Sequence, residues 1–193
     1  MKGVFFMQKW SLQQVVLLAF LAFLFGGVFM GAGVLYALLN AALTPFGLSP
    51  FANEILFGLW TMAAPVAGML IPKKGSATLG EVLAALAEML YGSYFGPGVL
   101  LSGLIQGFGT ELGFMVTRYR RYDKVALFYG AIGTTVLSFV YEFFKFGYGT
   151  YGFGMVAALL AVRFVSVVFF GVILVTQIMK LYQKVQDAKV SVS

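Results

Sequence analysis

The side chains able to do chemistry in this sequence are few. Neither cysteine nor histidine occurs, which excludes disulfides, thiolate or imidazole metal sites, and any catalytic triad that needs those residues. Carboxylates form no recognisable metal motif, and no G-x-x-x-x-G-K-[ST] nucleotide loop is present. The sequence therefore nominates no catalytic residue, metal ligand or cofactor site. What remains is recognition by carboxylates, amides and aromatic faces inside apolar runs. Glu88 lies near the middle of one run, with Tyr91 a turn further along the same helix face. Its carboxyl group is either kept protonated, paired with Arg163, or used to bind an amine or cation of a ligand. Arg163 lies in the middle of the last run, either paired with Glu88 or Glu111 or contacting the ligand. Gln106 suits a ligand site by depth. Glu111 lies about 140° around the helix from it, as a partner of Arg118 or a ligand contact. Glu142 is either a salt-bridge partner of Lys145 at a wet rim or part of the site.

Other polar residues have more local readings. Thr78 and Glu81 have capping-box spacing. Glu54 falls in the first turn of a helix, where its charge suits the dipole, or faces an outer pocket. Trp60 is too deep for an interfacial belt. Tyr36, Tyr91, Tyr94, Tyr141, Tyr148 and Tyr151 gather toward one end of the runs, with Asn40 and Asn53 adding hydrogen-bonding groups there. Together they make an aromatic, acidic cluster that suits a flat basic or cationic solute.

The elements that hold these residues are membrane helices. Of the 193 residues, 61% are hydrophobic and only 10% charged, against about 25% charged in a soluble domain. Six spans are predicted, at about 15–43, 51–71, 79–95, 98–117, 125–144 and 152–181. The breaks are Thr44-Pro45-Phe46-Gly47, Ser49-Pro50, Pro72, Gly96-Pro97-Gly98, the charged run Arg118 to Lys124, and the glycines between Gly147 and Gly154. The net charge of +6 does not point to nucleic acid, because the basic residues sit in alternate connections. Lys2, Lys9, Lys73, Lys74, Arg118, Arg120, Arg121, Lys124, Lys180, Lys184 and Lys189 all fall on one side and Lys145 alone on the other. That asymmetry places both termini in the cytoplasm.

The first apolar run is about twice the length of a signal-peptide core and ends in no clear cleavage site, so it is read as a retained helix. Its Ala22, Gly26, Gly27 and Gly31 permit close helix approach, either within this chain or against another membrane subunit. No repeat or soluble domain interrupts residues 1–193, which are read as one membrane domain.

Lys73-Lys74-Gly75-Ser76-Ala77 through Glu81, Glu88, Tyr91-Gly92-Ser93 and Gly96, then Leu101-Ser102-Gly103-Leu104-Ile105-Gln106-Gly107 with Glu111 and Arg118-Tyr119-Arg120-Arg121, resemble the YkoE branch of the S components of energy-coupling factor (ECF) vitamin transporters. The resemblance is densest over residues 73–121. It implies a six-helix bundle in a bacterial or archaeal cell membrane, capture of thiamine or hydroxymethylpyrimidine from outside, and delivery with a coupling (T) subunit and paired ATPases. It also implies that small residues on the first helix dock that subunit, although glycine here largely replaces the usual alanine. On this reading the ligand residues come from Glu88, Trp60, Tyr91, Gln106, Glu142, Asn53, Tyr36, Asn40, Arg163 and Glu111. Another vitamin such as riboflavin or biotin, or an accessory subunit without a ligand, is the alternative.

Overall fold

The computed structural model describes residues 10–190. Lys2 and Lys9, part of the charge asymmetry, lie outside the described residues, as do 191–193. Among the described residues every regular element is a helix, with no strand. Helix α1 spans Leu12–Leu43, α2 Pro50–Leu56, α3 Ala63–Leu70, α4 Ser76–Tyr91, α5 Val99–Val116, α6 Lys124–Lys145, α7 Phe153–Val167 and α8 Val175–Val190. Four helical stretches are long and apolar enough to cross a membrane: Leu12–Phe46, Gly96–Val116, Lys124–Lys145 and Phe153–Ala188. The other two predicted spans fall short of that for visible reasons. The 50–70 pass is broken by a 3-10 segment, Phe57–Thr61, between α2 and α3, and α4 has only 16 residues.

The connections alternate between two ends of the bundle. Residues 44–49, 92–98 and 146–152 form the upper end. Residues 71–75 and 117–123 form the lower end, where α1 also begins and α8 leaves. Local chemistry sets these boundaries. Ser11 and Gln14 form a reciprocal capping box at the start of α1. Asp123 accepts from the amides of Val125 and Ala126 to start α6. Gly92, at φ 102°, ends α4 in a conformation that only glycine adopts readily.

Packing is closest where glycines let backbones touch. Gly109 and Gly113 of α5 lie directly on Gly130, Gly133 and Thr134 of α6, and the hydroxyls of Thr110 and Thr134 share a 2.9 Å hydrogen bond. Gly26 of α1 presses on Ala87 and the Glu88 backbone of α4, so Gly26 and the buried Ala22 serve internal packing. Gly27 and Gly31 face outward into open space. The outer surface is apolar: Phe20, Phe23, Val116, Phe153 and Val165 are all exposed, which in water would be an aggregation hazard and in lipid is ordinary.

A methyl group at Gly113 would overlap the Ala126 carbonyl oxygen and the Gly130 backbone, neither of which can rotate away. Gly113→Ala is therefore expected to lower stability by about 1–3 kcal/mol, read as a fall in melting temperature of the detergent-solubilised protein. Gly154→Ala, whose added methyl meets nothing, is expected to leave that temperature unchanged.

Candidate functional site

The site begins with the broken helix. At the 3-10 segment the chain carries Phe57 and Trp60 inward, and the Trp60 indole donates to the Phe29 carbonyl of α1 at 3.1 Å. A turn before the break, α2 carries Asn53 and Glu54 into the bundle interior. The last long helix is irregular at the matching place. Between α7 and α8 it runs as a π-helix over Val168–Leu174, a geometry often found at functional sites. Ser166 joins the two irregular segments by accepting from the Gly58 amide and donating to the Ile55 carbonyl.

Arg163 lies fully buried in this region. Its Nε and Nη2 bind both oxygens of Glu54, Nη2 also reaches Glu142, and Nη1 donates to Ser138. The guanidinium lies over the Phe57 ring at 4.0 Å and near that of Phe139 at 5.1 Å. Asn53 donates to Glu142 at 2.8 Å, and the Tyr148 hydroxyl donates to Glu54 at 2.8 Å. Burial first, and then the Glu54 charge, push the Tyr148 hydroxyl above its ordinary pKa, so it remains a donor. Two carboxylates share one guanidinium.

Above this network, at the upper end, lies a cavity of about 40 Å³, room for a few waters. Asn53, Glu142, Glu88 and Gln106 supply its polar wall, with Ser102 and Lys145. Phe29, Phe57, Trp60, Phe95, Phe146, Ala85 and Val99 supply the rest. Glu88 accepts from the Ser93 hydroxyl at 2.8 Å. Trp60, Tyr36, Tyr94 and Phe95 form one edge-on aromatic group, with Phe95 5.5 Å from Trp60 and 5.1 Å from Tyr36. The segment Ser93–Phe95 that closes the cavity is flanked by Gly92 and Gly96, both at positive φ.

Five nominated residues thus meet at one cavity: Glu88, Trp60, Gln106, Glu142 and Asn53. Tyr36 packs behind Trp60 without lining the space. Four others lie elsewhere. The Tyr91 hydroxyl donates to the Phe23 carbonyl on the outer surface, and Asn40 uses its carbonyl to hold Thr44. Arg163 pairs with Glu54 and Glu142, not with Glu88 or Glu111. Glu111 does not pair with Arg118; it accepts from the amides of Gly75, Ala77 and Thr78 and so caps α4 from the neighbouring helix. The Glu81–Thr78 capping box is also replaced, because α4 starts at Ser76, three residues earlier than that motif requires. Glu81 instead caps α3 by accepting from Ala64. Glu54 is the innermost member of the arginine network rather than a surface dipole partner, and Glu142 turns toward Arg163 instead of Lys145.

The sequence reading missed Phe29, Phe57, Phe95, Val99, Ser102, Ala85, Lys145 and Phe146 as lining. Only Phe95 carried a usable signal, as the one large side chain beside the Gly96-Pro97-Gly98 turn that points back over the helices.

Removing the guanidinium strands two buried carboxylates. Arg163→Met is expected to cost about 3–5 kcal/mol, seen as loss of folded protein in a thermal melt followed by size-exclusion chromatography. Arg163→Lys is expected to recover little of that, because a point-like ammonium cannot grip Glu54 through two parallel bonds.

Three similarities bear on what this site does. Residues 13–137 match the family described as the permease component of an ABC-type cobalt transport system. The HMP/thiamine permease protein YkoE of Bacillus subtilis (strain 168) is 32% identical over 160 residues, covering 83% of this chain and 78% of that protein. A crystal structure of an S-component of an ECF transporter superposes with a TM-score of 0.79 at 27% identity, covering 96% of this chain and all of the other.

Proposed function

The chain belongs to the family of ABC-type cobalt transport permease components, as a YkoE-like S component of an ECF transporter, and on that premise we propose that its cavity captures thiamine or hydroxymethylpyrimidine. It is a substrate-binding membrane subunit and not an enzyme. The observation that carries the ligand reading is the wall itself: Glu88, Glu142, Asn53 and Gln106 converge beside Trp60 and Phe95 around one partly open cavity. An aminopyrimidine presents an exocyclic amine next to a ring nitrogen, which a carboxylate or carboxamide meets with paired hydrogen bonds. A thiazolium is a delocalised cation, attracted to aromatic faces and to the carboxylate left over from the arginine pair. The family description names cobalt, but this sequence offers such a metal no imidazole or thiolate. Among the described residues no three acidic side chains gather as a metal site.

The membrane arrangement is part of the same proposal. Six passes cross the bilayer with both termini in the cytoplasm, so the cavity opens to the outside at the upper end. The charge asymmetry supports this, since among the described residues Lys145 is the basic side chain at the upper end. A coupling subunit and ATPases of a bacterial or archaeal cell would supply the energy, because this chain has no nucleotide loop. Gly27 and Gly31 are the small residues of α1 left free to meet that subunit, since Gly26 packs on α4 and Ala22 is buried.

The cavity is narrow, about 40 Å³, and a heterocycle enters by widening it. The segment Ser93–Phe95, hinged at Gly92 and Gly96, is placed to do this. Swinging Phe95 away uncovers Trp60, and the return of Ser93 to Glu88 recloses the site.

Calorimetry of the purified protein with thiamine and hydroxymethylpyrimidine tests the ligand. Glu88→Gln is expected to weaken binding at least about tenfold, the scale of one charge-assisted hydrogen bond. If neither compound binds the unaltered protein, the ligand reading is wrong. Gly92→Ala forces a residue with a Cβ to adopt φ near 100°. It is expected to slow association, followed through Trp60 fluorescence in a stopped-flow instrument, more than it changes equilibrium affinity. An unchanged rate would remove the lid.

A further inference from the structure

Lys145 is the cavity residue that the ligand reading leaves without a role. It ends α6 and lines the space together with Glu142, one turn and about 4.5 Å nearer the upper end than Glu142. The carboxylate that should neutralise it is turned away, since Glu142 spends its Oε2 on Arg163 and Asn53. Among the described residues Lys145 forms no salt bridge. It is held only by aromatic faces, 5.2 Å from the Tyr141 ring and 5.3 Å from that of Phe146. Its Nζ reaches across the mouth to the turn before α5, 3.6 Å from where a side chain on Gly98 would begin. The cavity is therefore polarised, with carboxylates at depth and one unneutralised ammonium at the rim.

That polarity is poorly matched to a ligand that is only cationic. It matches a solute with a basic ring at one end and an anion at the other. We propose that Lys145 selects for a negatively charged tail, so that the cavity takes the phosphate monoester of its heterocyclic ligand in preference to the free alcohol. The rim position suits this, because a phosphate there keeps most of its oxygens in water and needs only one positive contact. Glycine at position 98 puts no side chain against the Lys145 ammonium from that turn. The inference rests on the aminopyrimidine reading above.

Calorimetric titration of thiamine and thiamine monophosphate, with inorganic phosphate as the control, separates the two claims. The unaltered protein is expected to bind the monophosphate more tightly than thiamine. Lys145→Gln is expected to weaken the monophosphate about tenfold, as loss of a charge-assisted contact does, while strengthening thiamine, whose thiazolium no longer faces a like charge. Lys145→Arg is expected to keep the preference. A merely structural lysine would shift both ligands in the same direction, and that result would overturn the proposal while thiamine binding itself survives. Equal affinities for the two ligands in the unaltered protein would overturn it too. Failure of both ligands to bind would instead sink the aminopyrimidine reading on which it stands.

Discussion

A guanidinium shut away from both water and lipid must find every partner inside the protein, and Arg163 finds them on two other helices. Glu54 comes from α2, Glu142 and Ser138 from α6, and the arginine itself from α7. Such a group is tolerable only when its bonds are nearly complete, since the interior offers no solvent to repair a missing one. The geometry of the upper half of the bundle follows. The 50–70 pass has to deliver Glu54 at one depth and Trp60 at another, and the 3-10 break between α2 and α3 accommodates both. The π segment after α7 lets Ser166 meet the break and satisfy the Gly58 amide. Tyr148 extends the same network into the 146–152 connection, so the upper loop is tied to the interior charge.

Breaking a helix in an apolar medium exposes amides that water cannot reach. This protein covers them with carboxylates borrowed from neighbouring helices. Glu81 of α4 accepts from Ala64, where α3 restarts, and Glu111 of α5 accepts from three amides where α4 starts. In the sequence Glu111 reads as a ligand contact or a partner of Arg118 and Glu81 as a cap of its own helix; each instead caps a neighbouring helix. Of the acids at the cavity, Glu88 has Ser93 as its side-chain partner among the described residues, and Glu142 is held by Arg163 and Asn53.

The legibility of the molecule divides along physical lines. Membrane character, the places where helices stop and the turn at 96–98 were readable, because proline, glycine and charge act locally in a chain otherwise made of apolar runs. Trp60, Gln106 and Glu88 were readable as interior polar or aromatic groups by depth alone. Pairing was not readable. Arg163 was expected to meet Glu88 or Glu111, and it meets Glu54, 109 positions away, because partner choice depends on which helices adjoin and how each is rotated. The same limit hid the split within α1, where Gly26 faces α4 while Gly27, one residue on, faces out. It also hid the break in the second pass, since Phe57-Gly58-Leu59-Trp60-Thr61 contains no proline and has the hydropathy of an ordinary helix. Pro65, just inside α3, has no N–H for the Thr61 carbonyl four residues back, and the Ser166 contact and the Glu81 cap satisfy amides around the break.

The arginine network and the cavity therefore form one device: the first fixes the passes at a set rotation, and the second uses the polar atoms which that rotation leaves unspent. A structure of the protein with the proposed aminopyrimidine ligand tests this most directly. The account predicts the ring between Trp60 and the Glu88 carboxylate, Phe95 displaced, and the Arg163 bonds to Glu54 and Glu142 intact. A ligand seated elsewhere, or one that itself replaces Glu142 on Arg163, would contradict it.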